Sequence, residues 1–338
     1  MSFEGWNKVS IQTEKNCSVE AAAPVIVSAS RRTDIPAFHA EWFVRRLQAG
    51  YVKWTNPFNG RSQYVSLART RAVVFWTKNP RPLLPHLAEL DRRGIGYYFQ
   101  FTLNDYEAEG LEPGVPPLLE RIATFRELAQ TIGKAKVVWR ADPLLLADGL
   151  DVDRLMERVA RIGERVHPWT EKLVIAFADI ERYAKVRNRL RKFRWGCREL
   201  LPEEMRAFAE RLVVAARPWG FAIATCAEAI DLTDLGIGQN KCIDDKLLER
   251  VFSHDEELMR FLGPANVRDG LKDKGQRKEC GCVVSKDIGT YDTCPHACRY
   301  CYAISSETAV DAAAKRQHAK RDSPKAKKVA TCSRPAIV

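Results

Sequence analysis

The chain has 338 residues, 46% of them hydrophobic and 29% charged, enough for a sizeable core in one large domain or two medium ones. No stretch reaches the ~20 apolar residues of a membrane span, and Ala21 to Ala29 is too short and too close to Glu20 for a secretory leader. The net charge of +11 is misleading: Lys315, Arg316, Lys320, Arg321, Lys325, Lys327, Lys328 and Arg334 against Asp322 place +7 in the last 24 residues, so the body is not strongly basic.

In chain order, residues 1–23 read as a loosely ordered lead-in. Residues 24–304 read as one domain, with a cysteine loop over 280–303. Residues 305–338 read as a basic tail whose composition predicts disorder and at most weak, non-specific nucleic-acid contact. Short apolar runs rich in β-branched and aromatic residues predict strands at Val25–Ser28, Ala72–Thr77, Gly96–Thr102, Lys136–Arg140, Lys172–Phe177, Phe221–Thr225 and Cys282–Ser285. Amphipathic helices are predicted between them. Leu118 to Ile132 carries Leu119, Ile122, Phe125, Leu128 and Ala129 on one stripe, with Glu120, Arg121, Arg126 and Glu127 off it. Pro202 to Ala216 opens on Pro-Glu-Glu, a helix start. Strands alternating with helices predict a parallel α/β sheet, open or closed into a barrel.

Polar residues repeatedly follow these strands: Ser30-Arg31-Arg32-Thr33-Asp34, Thr77-Lys78-Asn79, Thr102 to Asp105, Arg140-Ala141-Asp142, Ala178-Asp179 and Cys226-Ala227-Glu228. Any one of them serves as a cap or turn. In series they describe a polar rim at the C-terminal ends of the strands, where parallel α/β proteins gather function. Arg31, Arg32 and Asp34 form the sharpest of these motifs. They suit either an anion of substrate or cofactor, or an internal Arg–Asp brace before Pro36.

Cysteines carry the strongest signal. Seven of the ten lie between Cys226 and Cys301, whereas the first 190 residues hold only Cys17. Such clustering favours metal over a disulfide scaffold, and hence a reduced, cytoplasmic protein. Cys294, Cys298 and Cys301 are spaced for one loop around one centre. Three thiolates on a [4Fe–4S] cluster would leave one iron open. Cys226, Cys242, Cys280 and Cys282 form a second candidate set, suited to an auxiliary iron–sulfur cluster or to zinc. Cys17, Cys197 and Cys332 read as incidental, and His296 as packing or helix initiation rather than a ligand.

The loop Cys294-Pro-His-Ala-Cys298-Arg-Tyr-Cys301-Tyr-Ala resembles the CxxxCxΦC signature of radical S-adenosylmethionine enzymes, nearest the spore photoproduct lyase-like branch. Phe75-Trp76-Thr77-Lys78-Asn79-Pro80, Phe101-Thr102, Leu111-Glu112-Pro113-Gly114-Val115-Pro116, Glu120-Arg121 and Trp139-Arg140-Ala141-Asp142-Pro143 follow the same branch in order. The whole chain resembles an uncharacterised bacterial family, domain of unknown function 1848. The resemblance implies a partial, TIM-like (β/α) barrel. In it Cys294, Cys298 and Cys301 hold three irons, S-adenosylmethionine chelates the fourth, and a flavodoxin or ferredoxin supplies electrons. A 5′-deoxyadenosyl radical would then act on an unidentified substrate. Tyr300 takes the aromatic position near the adenine, with Lys78 and Arg140 as candidates for the cofactor's carboxylate or ribose. Two departures stand out. No Gly-Gly-Glu-like strand follows the loop, and the loop comes last in the chain rather than after the first strand. A permuted barrel, with the final strand docked beside Val25 to Asp34, would reconcile the second. The rival readings are a non-enzymatic iron–sulfur or zinc protein and a nucleic-acid repair or modification enzyme.

Overall fold

The computed structural model describes residues 3–56, 59–193 and 196–322. Strands are numbered in chain order: β1 Lys8–Gln12, β2 Ser18–Ala22, β3 Ile26–Ala29, β4 Tyr51–Thr55, β5 Ser62–Ser66, β6 Ala72–Thr77, β7 Gly96–Thr102, β8 Val137–Leu144, β9 Lys172–Phe177, β10 Ala222–Thr225, β11 Gly238–Gln239 and β12 Lys286–Asp287. Eight of them make one parallel sheet in the order β11-β10-β9-β8-β7-β6-β3-β12. From β3 to β11 the sheet adds strands in sequence order. Only β12 breaks the rule, pairing on the free side of β3 with Lys286 opposite Val27 and Asp287 opposite Ser28. The last strand therefore occupies the position ahead of the first.

Of the two expected forms, open or closed into a barrel, the parallel sheet is open: β11 and β12 are its two edges. Each is two residues long, too short to build a ladder with the other. Irregular chain spans the gap instead. The Val283 N–H donates to the Ile243 carbonyl at 3.1 Å, and the Val284 N–H to Leu271 at 2.8 Å. This corrects the seventh predicted strand. Cys282 to Ser285 makes only an isolated antiparallel bridge, from Val283 to Lys272, and the neighbouring polar pair Lys286–Asp287 joins the sheet.

Alternation along each strand sends side chains to opposite faces. Val27, Val73, Phe75, Phe99, Phe101, Trp139, Leu173 and Ile175 meet helices Ala40–Ala49, Leu118–Ile132, Val152–Val166 and Pro202–Ala216 through residues such as Phe43, Phe125, Leu155 and Phe208. Ile26, Val74, Tyr98, Val138 and Val174 face Ile243, Leu247, Phe252, Leu258, Cys242, Cys280, Cys282 and Val283. Each such large side chain contributes about 1.5–3 kcal/mol on burial. Helices Asp245–Phe252 and Glu256–Leu262 are started by Asp244 and Asp255, whose carboxylates accept from Leu247 and Leu258 N–H groups.

Four local expectations also change. The supposed lead-in folds as the antiparallel pair β1–β2, which joins β5 and β4 in a second sheet ordered β1-β2-β5-β4. Within the stretch read as a disordered tail, Glu307–Asp322 is helical, while 323–338 lie outside the described residues. On helix Leu118–Ile132, Leu119 is 65% exposed and Arg121 only 1%. The polar contacts of Arg121 explain its burial: it donates to the carbonyls of Pro116 (2.8 Å) and Asn104 (3.0 Å) and pairs with Glu112 at 3.7 Å. Cys17, read as incidental, is disulfide-bonded, and Cys332 lies outside the described residues. Among the described residues, no helix is long and apolar enough to cross a membrane.

Candidate metal centres

The loop after β12 is anchored at its root. The Asp287 carboxylate accepts from the hydroxyls of Ser28 and Ser30 (2.9 Å each), the N–H groups of Arg31 (3.0 Å) and Gly289 (2.9 Å), and the Arg32 guanidinium (3.3 Å). Further along, Arg189 donates to the carbonyls of Cys298 (3.3 Å), Arg299 (3.0 Å), Cys301 (3.0 Å) and Ile304, holding the loop in a curl. Ala297 takes a left-handed conformation, φ 50°, which turns the chain between Cys294 and Cys298.

His296 is buried, with ring nitrogens 2.9 Å from Asp34 Oδ2 and 2.9 Å from the Gly114 carbonyl. Both ring nitrogens are therefore engaged by protein groups. Neither nitrogen is left for a metal. Gly114 comes so close that an added Cβ would lie 2.3 Å from the Pro295 carbonyl oxygen, so only glycine fits. Asp34 also caps helix Ile35–Phe38 through the Ala37 N–H (2.9 Å) and accepts the Lys78 N–H (2.7 Å), which leaves it little capacity for a ligand. Arg32 lies between Trp54 and Tyr291 and pairs with Asp287, so its ion-pair partner is not Asp34.

Cys298 is buried, and Cys294 and Cys301 are half-buried. Burial pushes the Cys294 thiol up to about 12 and raises those of Cys298 and Cys301 above the usual thiol range. The three sulfurs repel one another when charged, and a bound cation would reverse that. Backbone N–H groups of Asp34 and His296 already favour a Cys294 thiolate, as those of Ala303 and Ile304 do for Cys301. Lys78 supplies positive charge beside Cys298. This donor set, three soft sulfurs met by N–H groups and a cation, fits an anionic iron–sulfur cluster.

Beneath the loop lies a buried polar network that the sequence reading quoted in part but did not assign. Lys78 Nζ donates to Glu112 (2.8 Å) and to the Tyr300 hydroxyl (3.1 Å). Asn104 Nδ2 reaches Glu112 (3.1 Å), Tyr300 (3.3 Å) and the Asp142 carbonyl (3.0 Å), while the Tyr300 hydroxyl donates to Glu112. Burial alone would raise the Glu112 carboxyl, but Lys78 and Arg121 outweigh it and hold it at about 2. Burial would likewise lower the Lys78 ammonium, and Glu112 with Cys298 raises it instead.

The second cysteine set converges from three segments. Cys226 follows β10, Cys242 follows β11, and Cys280 and Cys282 precede β12. The sulfurs of Cys226 and Cys242 are 3.2 Å apart. Cys282 Sγ accepts the backbone N–H groups of Cys242 (3.2 Å) and Ile243 (3.3 Å). Arg140 Nη1 donates to Cys242 Sγ at 3.0 Å and to Gln100 at 3.2 Å, and its fork is also tied to Asp142. Arg31 lies over Trp76 (4.9 Å) with Cys282 beside its guanidinium. The hydrogen bond with Cys242 draws Cys226 down to about 6, and the neighbouring Cys242 and Cys280 thiols lower Cys282, while those two rise. Two residues past Cys226, Glu228 is pushed up to about 8 by burial. As they stand, the Cys226 and Cys242 thiols touch, and Cys282 meets the Cys242 backbone. Among the described residues no three Cys, His, Asp or Glu side chains yet point at one shared centre.

Of the other sequence candidates, Lys78 and Tyr300 meet in the Glu112 network and Arg140 stands at the four-thiol group. Arg31 spans both sites: its carbonyl accepts the Tyr302 hydroxyl at 2.8 Å, next to Cys301, and its guanidinium faces Cys282. Arg189 and Asp287 carry no motif of their own, and only contacts between distant segments reveal them, whereas Asn104 lies in the Thr102 to Asp105 rim.

Sheet and sites together define a parallel α/β protein whose last strand brings a three-cysteine loop to the polar ends of the strands, above a buried four-cysteine group. The chain belongs to the family described as domain of unknown function (DUF1848), which matches residues 26–303. No curated protein matches it. Among solved structures, a putative alpha-L-fucosidase from Bacteroides thetaiotaomicron VPI-5482 aligns at 11% identity over 55% of this chain and 82% of its own. Its TM-score of 0.24 is too low to bear on fold or function.

Proposed function

We propose that Cys294, Cys298 and Cys301 seat a [4Fe–4S] cluster and that the chain is a radical S-adenosylmethionine-type enzyme, in the form of a permuted partial barrel. One observation carries the reading. β12 pairs in parallel ahead of β3, so the CxxxCxΦC loop follows the strand that stands first in space, although it is last in the chain. When bound, the cluster would deliver one electron to the sulfonium of S-adenosylmethionine, and a flavodoxin- or ferredoxin-type reductant would reload it.

The chain's own groups do the positioning. Asp287 and Arg189 fix the two ends of the cysteine loop, and His296 pins its middle to Asp34 and Gly114. Lys78 places positive charge beside Cys298, and its bond to Tyr300 fixes the aromatic ring inside the loop. Burial beneath the loop excludes water, which a reactive radical requires.

The test is anaerobic reconstitution with iron and sulfide, followed by reduction in the presence of S-adenosylmethionine. The expected product is 5′-deoxyadenosine, lost in a Cys298→Ala variant. An intact, reducible cluster that yields no nucleoside would support a non-enzymatic iron–sulfur protein instead.

A further inference from the structure

We propose that Cys226, Cys242, Cys280 and Cys282 bind one zinc-type metal ion as a tetrathiolate that clasps the two edges of the open sheet. This site is separate from the three-cysteine loop and does not depend on the reading given to that loop.

Compactness decides between a single ion and a second cube. Four sulfurs around one ion at ~2.3 Å stand about 3.8 Å apart. Cys226 and Cys242 are at 3.2 Å, so a small outward rotation admits an ion between them. A cube places each sulfur on its own iron, which spreads the four much further. Cys282 is held next to Cys242 by the two N–H bonds to its sulfur, and Cys280 lies two residues before Cys282 in the same segment. Cys226 and Cys242 thus already share a thiol hydrogen bond that an ion would replace, with Cys282 Sγ held on the Cys242 backbone beside them.

The surroundings match the charge. A divalent ion with four thiolates carries −2, and Arg31 and Arg140 bring two buried guanidinium groups to it. Arg31 Nη2 and Asn240 Oδ1 are buried and lack hydrogen-bond partners, while Asn240 Nδ2 points at Cys242 Sγ from 3.5 Å. Donors directed at ligand sulfurs are what a metal thiolate recruits in its second layer of contacts.

The topology gives the ion a task. Cys226 and Cys242 belong to the β10–β11 edge, and Cys280 with Cys282 to the segment entering β12. Across the gap, the Val283–Ile243 hydrogen bond is the backbone link in this region. A metal bonded to both sides would close in space what the sheet leaves open.

The experiment measures zinc and iron in the full-length chain purified without air, in wild type and in a Cys294→Ala/Cys298→Ala/Cys301→Ala variant. One zinc per chain is expected in both, falling to a small fraction of that in Cys226→Ser and Cys282→Ser. To separate metal loss from misfolding in those variants, wild-type protein stripped of metal is also titrated with cobalt. Tetrahedral cobalt–thiolate absorption should appear at one equivalent, with Cys226, Cys242, Cys280 and Cys282 together shielded from alkylation. About four irons persisting in the triple-alanine variant would overturn the single-ion assignment in favour of a cube. No metal in that variant, together with no cobalt–thiolate spectrum, would overturn the site altogether. Loss of 5′-deoxyadenosine formation alone bears on the three-cysteine loop and leaves this assignment standing.

Discussion

Glu112 shows how much a single side chain can hold in a dry interior. It accepts from Lys78, Asn104 and Tyr300 and lies 3.7 Å from Arg121, with its carboxyl held at about 2. Removing one partner of a buried pair strands the other charge, which costs about 3–5 kcal/mol. Glu112→Gln should therefore lower unfolding free energy by about that amount in a urea titration. A loss near zero would show that Lys78 and Arg121 find other partners. The sign of the acid response follows from the same group. Its folded value is below that of the unfolded chain, so its stabilisation is complete above about pH 4.5 and is lost as pH falls toward 2. Wild type should lose stability through that window more steeply than Glu112→Gln. Gly114 makes a different kind of test, because a methyl group there collides with the Pro295 backbone. Overpacking of this sort costs about 1–3 kcal/mol. Gly114→Ala should also lower iron retention after reconstitution, since the collision falls inside the cysteine loop. Full iron loading in that variant would show that the loop does not need this contact.

At the scale of elements, strands buried on both faces were plain in the sequence, and strands β6, β7 and β9 fall where their apolar runs begin and end. The extents of helices Leu118–Ile132 and Pro202–Ala216 are equally legible, because the apolar repeat of the first and the Pro-Glu-Glu start of the second are local. What the sequence concealed depends on partners distant in the chain. Nothing in Lys286–Asp287 marks a strand, yet a single carboxylate meeting four donors from β3 and its loop, and one from Gly289, makes it one. The lead-in strands β1 and β2 escaped notice because they mix exposed and half-buried residues and carry no continuous apolar run. Arg121 was misplaced by a helical stripe rule that cannot see buried carbonyls waiting for a donor. The cysteine spacing, by contrast, pointed to both groups. Spacing could not say that Cys226 and Cys242 touch or that two arginines attend the second group. The β12 anchor yields a prediction of its own. Asp287→Ala leaves Ser28, Ser30, Arg31 and Gly289 donors without an acceptor, at a cost of about 1–3 kcal/mol for each one that stays buried. Limited proteolysis should then cut within 288–304 several times faster than in wild type, while cleavage elsewhere stays unchanged. Uniformly faster cleavage would mean instead that Asp287 supports the whole fold rather than this loop.

At the scale of the whole molecule, the open sheet raises the question of how two-residue edge strands remain in place. Unpaired edges are liabilities that proteins cover or close. Here the gap between β11 and β12 is covered by the segments that carry Cys242, Cys280 and Cys282, and those segments fill the inner face with Ile243, Leu247, Phe252 and Val283. Apolar contact alone would let this plug and the two edges loosen piecemeal, since the backbone bonds linking them are few. An ion shared by both sides would instead couple them, so that they open together or not at all. Chelation of the stripped-and-reloaded protein makes the difference measurable. With metal bound, amide exchange at 238–244 and 280–287 should be slow and matched; after removal it should rise at both segments together, leaving β6 to β8 protected. The thermal midpoint should fall at the same time, because any ligand bound only by the folded state stabilises it. If exchange rose at one segment and not at the other, the ion would be bracing a local turn, and the sheet would owe its closure to packing alone.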